Sequence, residues 1–236
     1  MAWDVAFSPL APASFVSRPN RFLVLARAGS RVVRVASRDP GRLRELLVPS
    51  ARLLIEPSSD PRRRTGHTLV LVRKSRRWVS VVPVLANRIL EAAFLRDGVP
   101  RLRGARIVGR EVRMGRSRID FLVAHRGRRV LVEVKSATLV ERGRALFPDA
   151  PTERGARHLR ELLAWSRQGG LAAVAFVVQR SDAFELSPHA ENDPAFAAAL
   201  RDAVRAGVRV FAYACRVTRH GASLVREIPV VGLQAG

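Results

Sequence analysis

A nearly continuous apolar run over residues 171–179, with the sequence LAAVAFVVQ, is the feature that most constrains the fold. A run of this length is typical of a strand that is buried on both faces at the centre of a sheet. Helical patterns precede it over 152–167 and follow it from the Asp193-Pro194 pair to about residue 207. This order predicts an α/β sheet covered by helices.

The rest of the second half of the chain extends the same pattern. A helix is predicted over 86–96, with an apolar face that includes Ile89, Leu90 and Phe94. Strands are predicted over 106–112, 117–124, 129–135 and 208–217. The second half should therefore contain one large sheet with helices packed on it.

The first half of the chain differs in pattern. Residues 18–83 contain five short apolar or alternating runs, at 22–27, 30–36, 52–56, 68–73 and 78–82, separated by turn residues. Five short strands within about 65 residues suit a small barrel, and the five-stranded oligonucleotide-binding (OB) type is the leading prediction. Residues 1–83 carry 16 basic and 5 acidic side chains, which gives this half a net charge of +11.

The charge of the whole chain predicts its class of partner. The formal net charge is +22 and the pI is about 11.9, so the protein should attract polyanions and bind them in a salt-dependent way. A codon bias toward arginine explains arginine in place of lysine, but not 42 basic residues against 20 acidic ones. Nucleic acid is therefore the expected partner, well ahead of an acidic membrane surface.

The cysteine content and the lengths of the apolar runs indicate where in the cell the protein is located. The single cysteine, Cys215, excludes a disulfide framework and a cysteine metal cluster. No apolar run approaches the ~18 residues that a membrane span requires. The first residues, Met1-Ala2-Trp3-Asp4, have neither the charged nor the apolar part of a signal peptide. We therefore expect a cytoplasmic protein without a membrane partner. If it binds DNA, it would be associated with the nucleoid.

Lysine is scarce in this chain, since only Lys74 and Lys135 are lysines among 42 lysines and arginines. Lys135 follows Glu133 by two residues in a predicted strand, so both side chains point to one face, with Val134 opposite. A two-residue loop at 126–127 would set Asp120 of the preceding strand across from Glu133, and a four-residue loop at 126–129 would set it opposite Lys135. Either loop brings the three groups together, whereas an odd-length loop without a bulge would separate them.

Two carboxylates beside a lysine are the groups that a metal-dependent phosphodiesterase needs. Asp120 and Glu133 offer hard oxygen ligands for Mg²⁺ or Mn²⁺, with positions left for water and a phosphate oxygen. The cation would polarise the phosphodiester, while Lys135 would orient or deprotonate the attacking water or stabilise developing charge. The alternative is a cross-strand salt bridge on a solvated face, which is common and energetically minor. The scarcity of lysine favours the catalytic interpretation.

A longer series of residues resembles a known family. The matching segments are Gly115-x-Ser117-Arg118-Ile119-Asp120-Phe121, Val132-Glu133-Val134-Lys135, Thr138-Leu139-Val140, Ala145-Leu146-Phe147-Pro148-Asp149-Ala150, Thr152-Glu153-Arg154-Gly155, His158-Leu159-x-Glu161-Leu162, Asn87-Arg88, Val178-Gln179-Arg180 and Arg18-x-x-Arg21-Phe22. In these residues the chain resembles the sugar fermentation stimulation protein A (SfsA) family. The match extends over nearly the whole chain and is strongest from 115 to 162.

The resemblance implies a DNA-binding protein with an OB-like domain over 1–83 and a PD-(D/E)xK nuclease-like domain over 84–236. The fold class is α/β (α+β overall), with a small barrel followed by a mixed sheet flanked by helices. Asp120, Glu133 and Lys135 would form the nuclease core, Glu91 would add an acidic residue, and Gln179 would orient a phosphate or a water. The residue before Asp120 is isoleucine where the motif name has proline. Residues 37–41 lack the Asn-Thr-Gly expected there, a departure that concerns the binding mode of the first domain.

Further residues are predicted to contact nucleic acid. Arg154 and His158 lie one turn apart on the helix over 152–167, and the resemblance favours a place beside the scissile phosphate over an ordinary helix surface. The basic runs at 62–64 and 73–77 suit backbone tracking on single strands, or else are solvated charge. The full predicted set is Arg18, Arg21, Arg62, Arg63, Arg64, Lys74, Arg76, Arg77, Arg118, Arg154 and His158.

Three functions are compatible with these features. The first is a DNA nuclease dependent on Mg²⁺ or Mn²⁺, with single-stranded or structured DNA among its candidate substrates. The second is a non-catalytic DNA-binding regulator on a nuclease-like scaffold, and the third, less favoured, is RNA processing. The intact pair of Asp120 and Glu133 favours the nuclease, because carboxylates without a metal repel phosphate.

Overall fold

The computed structural model describes residues 3–58, 60 and 62–233, which form sixteen strands and three α-helices. Met1 and Ala2, used above in the argument on a signal peptide, lie outside the described residues. The strands are β1 (Val5–Ala6), β2 (Ala11–Asn20), β3 (Leu23–Ala28), β4 (Arg31–Ala36), β5 (Arg52–Pro57), β6 (His67–Lys74), β7 (Arg77–Ser80), β8 (Arg106–Met114), β9 (Ser117–His125), β10 (Arg128–Ala137), β11 (Val140–Glu141), β12 (Arg144–Phe147), β13 (Leu171–Val178), β14 (Glu185–Pro188), β15 (Arg209–Thr218) and β16 (Gly221–Ile228). The helices are α1 (Pro83–Leu95), α2 (Glu153–Arg167) and α3 (Pro194–Arg205).

Strands β2 to β6 form a closed five-stranded barrel. Their order is β4-β3-β2-β5-β6, and a parallel pairing of β4 with β6 closes the ring. Strand β7 continues from β6 as a hairpin outside the closed ring. Side chains such as Val24, Ile55 and Leu69 fill the interior and are fully buried. This arrangement confirms the predicted OB-type barrel.

One barrel strand is not the one that the sequence indicated. The fifth member is β2, which was not predicted, whereas the run predicted at 78–82 corresponds to β7. Strand β2 contains Pro12 and Pro19, and its pairing with β3 shifts register twice. Prolines and bulges remove the regular alternation that marks a strand in a sequence, which explains the omission.

The second sheet has seven strands in the order β1-β16-β15-β13-β10-β9-β8. Strands β10, β13 and β15 are parallel, and the outer pairs are antiparallel. As predicted, β13 lies in the middle and is buried along nearly its whole length. Helix α1 and the barrel cover one face of the sheet, and α2 and α3 cover the other. The predicted mixed α/β architecture is confirmed, with β16 and a small sheet of β11, β12 and β14 as additions.

A single apolar core connects the barrel with the second sheet. Leu54 and Val70 of the barrel belong to the same buried cluster as Ile89 of α1 and Val132 of β10. The short strand β1 pairs with β16, so this stretch packs in the second sheet although the barrel follows it in the chain. The division at residues 83 and 84 stays a prediction. In the part of the chain that the structure describes, no helix has the length and apolarity needed to cross a membrane.

Candidate active site

The hairpin of β9 and β10 has the shorter of the two predicted loops. His125 pairs with Arg128, so the loop consists of Arg126 and Gly127 alone. Both loop residues have positive φ, of 50° and 73°, as a tight two-residue turn between antiparallel strands requires. Continued without change, this register sets Asp120 across from Glu133.

The ladder between β9 and β10 opens just before it reaches that pair. The last pairing joins Phe121 with Val132. Beyond it the Asp120 carboxylate replaces a main-chain acceptor, because its Oδ2 accepts the main-chain N–H of Val134 at 2.7 Å. Its Oδ1 accepts the side-chain amide of Asn87, from α1, at 2.6 Å. Hydrogen bonds from two elements therefore fix the orientation of this carboxylate.

Glu133 lies at the centre of a buried cluster. Its Oε1 accepts hydrogen bonds from Lys135 Nζ at 2.7 Å and from His158 Nδ1 at 2.5 Å. Its Oε2 is buried and has no hydrogen-bond partner among the described residues. One oxygen of Glu133 is thus fully engaged by the protein, and the other retains its capacity to bind a donor or a cation.

Helix α2 brings His158 and Arg154 to this cluster. Thr152 caps the helix, since its side-chain oxygen accepts the N–H of Gly155 at 3.0 Å. One turn further along, Arg154 Nε donates to His158 Nε2 at 3.4 Å. Because Nε2 accepts, the proton of the neutral ring lies on Nδ1, where it is donated to Glu133. Residue Arg154 is exposed, whereas His158 is buried.

These groups line a cleft of about 510 Å³ between the barrel and the second sheet. From the barrel come Arg21 and the loop 39–41, and from the second sheet and its helices come Asp120, Glu133, Lys135, Asn87, Arg154 and His158. The main-chain N–H of Leu43 donates to Asp149 Oδ2 at 2.7 Å, which ties the barrel loop to the segment before α2. Both parts of the chain therefore form the walls of the candidate site.

Asp120, Glu133 and Asp39, which line the cleft, have shifted pKa values. Burial, followed by the negative charge of Glu133, raises the pKa of Asp120 to about 6. Burial alone would raise the pKa of Glu133, but Lys135 and His158 outweigh that effect and hold it below its usual range. Burial, with a contribution from Asp149, also raises the pKa of Asp39 to about 6. A cation in the cleft would relieve the repulsion between these negative groups.

Comparison with known proteins agrees with this architecture. The model of the SfsA N-terminal OB domain matches residues 16–81, and that of the sugar fermentation stimulation protein RE domain matches residues 84–221. The chain belongs to the SfsA family. The resemblance inferred from the sequence is thereby confirmed.

Relatives in this family match along nearly their whole length. A sugar fermentation stimulation protein homolog from Moorella thermoacetica is 44% identical over 224 residues, which cover 94% of this chain and 96% of the relative. A homolog from Chloroflexus aurantiacus is 43% identical over 223 residues, 94% of this chain and 86% of the relative. The solved structure of Pyrococcus furiosus SfsA in complex with Ca²⁺ has a TM-score of 0.90 and 30% identity, and covers 98% of this chain and 100% of that one.

Two residues to which the resemblance assigned roles in the nuclease core lie outside the cleft lining. Glu91 of α1 accepts hydrogen bonds from Arg110 of β8. Gln179 is fully buried, and its side-chain amide donates to the Val82 carbonyl at 2.9 Å and to Ser136 Oγ at 2.7 Å. Gln179 therefore connects the end of β13 with the segment that leads from the barrel into α1.

Most of the basic residues predicted to bind nucleic acid also lie away from the cleft. Arg18 donates to four main-chain carbonyls, those of residues 21, 39, 41 and 42, and so holds the loop of the barrel that lines the cleft. Lys74 Nζ donates to the Glu45 carbonyl at 2.6 Å. Arg118 pairs with Glu111 at 3.6 Å on the exposed surface.

The arginines of the barrel loops are mostly solvent-exposed. Arg62 pairs with Asp60 at 3.2 Å, and Arg63 donates to Thr68 Oγ1 at 3.0 Å. The remaining three, Arg64, Arg76 and Arg77, are exposed. Of the eleven residues predicted to contact nucleic acid, the lining of the cleft contains Arg21, Arg154 and His158.

Some residues of the cleft were not predicted to act there. Asn87 formed part of the family match, but no role was assigned to it. Asp39 and Asp149 approach each other from different domains: a Cβ placed on Gly41 would lie 2.9 Å from Asp39 Oδ1 and 2.8 Å from Asp149 Oδ2. The family motif was the only feature of the sequence that pointed to Asn87 and Asp149. Local sequence patterns do not indicate the approach of Asp39 to Asp149, because it joins two domains.

Proposed function

We propose that this protein is a DNA-binding phosphodiesterase that depends on a divalent cation, Mg²⁺ or Mn²⁺. The observation that carries the proposal is the convergence of Asp120, Glu133 and Lys135 in one cleft, with Glu133 Oε2 buried and unpartnered among the described residues. Leaving a buried carboxylate oxygen without a donor or a cation costs free energy. A cytoplasmic location is part of this proposal.

The donor set of the cleft fits a hard divalent cation. Glu133 Oε2 has its lone pairs available, and each oxygen of Asp120 accepts one hydrogen bond in the described structure. Asp120 and Glu133 would hold the cation, with water and a phosphate oxygen completing the shell. When bound, the cation would supply Lewis-acid polarisation of the phosphodiester and a more acidic water. The Pyrococcus relative was solved with Ca²⁺, another cation that prefers oxygen ligands, which supports this assignment.

The chain's own groups would position the remaining reactants. Lys135 Nζ, beside Glu133, would orient or deprotonate the attacking water and stabilise charge that develops on the phosphate. His158 donates to the same oxygen of Glu133 and so helps to keep this carboxylate in place. Arg154, exposed at the edge of the cleft and linked to His158, would grip a phosphate oxygen of the substrate.

The direct test is a cleavage assay on labelled nucleic acid. Single-stranded and double-stranded DNA and RNA are incubated with the full chain in Mg²⁺, in Mn²⁺ and in EDTA, beside an Asp120→Asn variant. We expect cutting of DNA in either metal, and none in EDTA or with the variant. Cutting that persists in EDTA or in the variant would contradict the assignment of the site.

The second candidate function is a non-catalytic DNA-binding protein on the same scaffold. The observation that favours it is that the described residues contain no group of three or more His, Cys, Asp or Glu side chains able to hold a metal. A two-carboxylate site binds a cation less tightly, because fewer protein charges surround it. Salt-sensitive DNA binding without cutting in any metal would establish this alternative.

Removal of the Asn87 side chain is expected to lower the affinity of the site for Mg²⁺. The Asn87→Ala variant leaves Asp120 Oδ1 without its 2.6 Å donor, so the carboxylate is oriented by the main-chain N–H of Val134 alone. Loss of a group that orients a metal ligand lowers metal affinity about 10- to 100-fold. We expect the Mg²⁺ concentration for half-maximal cleavage to rise by that factor, while the rate at saturating Mg²⁺ falls less.

A suitable control on the same helix is Leu95→Ala, because this side chain is 81% exposed at the end of α1. The control should leave the Mg²⁺ titration curve where it is in the wild type. An unchanged curve for Asn87→Ala as well would show that Asn87 does not position the metal ligand.

The exposed arginines of the β6–β7 hairpin are expected to contribute to DNA affinity through charge. An Arg76→Ala/Arg77→Ala double variant should reduce the slope of log K against log salt by about 2, because each phosphate contact contributes about one unit. The measurement is fluorescence anisotropy with labelled DNA in EDTA over a series of salt concentrations. The double variant Arg201→Ala/Arg205→Ala removes the same charge from α3 and should keep the wild-type slope. Equal slopes for both double variants would show that the arginines of this hairpin do not contact DNA.

A further inference from the structure

The cleft that leads to the buried carboxylates is small. Its volume of about 510 Å³ falls in the size range of small-molecule pockets, which gives room for about one nucleotide unit. The barrel loop 39–41 forms one wall, and the contact between Leu43 and Asp149 fixes that loop against the second domain. Glu133 and Lys135 are both buried at the inner end of the cleft.

An exposed aromatic ring lies beside the cleft on the barrel side. Phe22 is 61% exposed and follows Arg21, which lines the cleft and whose guanidinium lies 5.9 Å from the centre of the Phe22 ring. The main chain of Phe22 is fixed on both sides: its N–H donates to Asn20 Oδ1 at 2.9 Å, and its carbonyl accepts the N–H of Ser37 at 2.9 Å. The ring is therefore held in solvent by an ordered backbone.

The combination of two arginines in the lining of the cleft and a solvent-exposed ring next to one of them suits one class of ligand. Proteins that bind single strands follow the backbone with positive charge and stack bases on aromatic side chains. A duplex offers no free base face to such a ring, because its bases are stacked on one another. In the cleft, Arg21 from the barrel and Arg154 from α2 supply the positive charge.

Building on the proposed function, we propose that the cleft takes single-stranded DNA and that Phe22 is the surface on which a base of that strand stacks. One phosphate of the strand binds between Arg21 and Arg154, the two arginines in the lining of the cleft. The neighbouring nucleotide leaves the cleft over the barrel and places its base on the Phe22 ring. The substrate is then a single strand or the unpaired part of a structured DNA.

The chain contains a matched control for Phe22. Phe184 is 66% exposed and has an arginine, Arg226, 5.1 Å from its ring centre, but Arg226 does not line the cleft, whereas Arg21, the partner of Phe22, does. The two rings thus share exposure and a cation partner and differ in position. An effect that arises only from removal of an exposed aromatic side chain would be the same for both.

The test is an anisotropy titration of a labelled short single strand of DNA in EDTA, with the full chain and the variants Phe22→Ala, Phe22→Tyr and Phe184→Ala. We expect Phe22→Ala to weaken binding about 5- to 150-fold, the effect of one lost stacking contact. Phe22→Tyr keeps the ring and should keep most of the affinity, and Phe184→Ala should bind as the wild type does. Equal losses for Phe22→Ala and Phe184→Ala, or no loss for either, would overturn the proposal.

Two competition arms complete the experiment. A blunt duplex of the same sequence should displace the labelled strand much less efficiently than unlabelled single-stranded DNA does, and a duplex that competes equally would overturn the strand assignment. A single strand of RNA that binds more tightly than DNA would overturn the choice of DNA. Because every measurement is made in EDTA, a protein that binds as expected but cuts nothing would uphold this inference while the proposed nuclease activity fails.

Discussion

The variant Lys135→Ala is expected to cleave DNA about 10²- to 10⁴-fold more slowly than the wild type, the range for loss of a group that transfers or positions a proton. The Lys135 ammonium contacts Glu133 Oε1 at 2.7 Å, so the variant removes both this contact and a positive charge beside a proposed metal ligand. DNA affinity in EDTA should change far less, because only 10% of the lysine side chain is exposed. Single-turnover cleavage and anisotropy binding are the two measurements.

A second substitution at the same position separates charge from chemistry. Arginine keeps the positive charge but does not give up a proton, and its planar fork does not reproduce the compact ammonium. If Lys135 orients or deprotonates the water, Lys135→Arg should be nearly as slow as Lys135→Ala. Wild-type rates in Lys135→Arg would limit the role of the lysine to charge, and wild-type rates in Lys135→Ala would exclude it from the site. The melting temperature of each variant shows whether the fold is intact.

Replacing Arg180 by alanine should cause a large loss of stability. Only 2% of this side chain is exposed, and it holds Asp182 through two hydrogen bonds of 2.7 and 2.9 Å. It also donates to the Thr138 carbonyl at 2.9 Å and lies 3.7 Å from Glu45 of the barrel region. Removal of one partner from a buried ion pair costs about 3–5 kcal/mol of the free energy of unfolding, and here the variant leaves the partly buried Asp182 and the buried Thr138 without their donor. In a chain of this size that corresponds to about 6–20 °C in melting temperature.

The control for this prediction is Arg205→Ala. Arg205 pairs with Asp202 at 3.0 Å, but both side chains are more than half exposed, and such surface pairs contribute at most about 1 kcal/mol. Thermal and denaturant unfolding of both variants give the comparison. Similar small losses in the two variants would show that Arg180 is not a structural link between the domains.

The sequence alone indicates the hairpin of β9 and β10 well, because the information that specifies it is local. The two-residue turn at Arg126 and Gly127 sets the register, and strand alternation places Glu133 and Lys135 on one face. The opening of the ladder at Asp120 was not predicted. There the Asp120 carboxylate accepts the main-chain N–H of Val134 and the side chain of Asn87, which reaches across from a helix more than thirty residues earlier in the chain.

The basic residues show the limit of reasoning from the sequence. Arg18 and Lys74 were predicted to contact nucleic acid, yet their side chains bind main-chain carbonyls of the barrel region. A cationic side chain in a sequence carries no sign of whether it will meet a phosphate or a carbonyl, since both are oxygen acceptors. Only the folded positions of loops around residues 39–45 distinguish the two cases.

The pairing of β1 with β16 has a consequence for the modularity of the protein. The chain leaves the second sheet after Ala6, completes the barrel, and returns through α1, so the barrel is nested inside the second domain. Two covalent connections join the domains, and a single proteolytic cut in either one leaves them attached. A fragment that starts at residue 84 would lack β1 and bare the edge of β16. The barrel is therefore an insertion in the second domain. Removing it cleanly requires deletion of the barrel strands and a direct connection from β1 to α1.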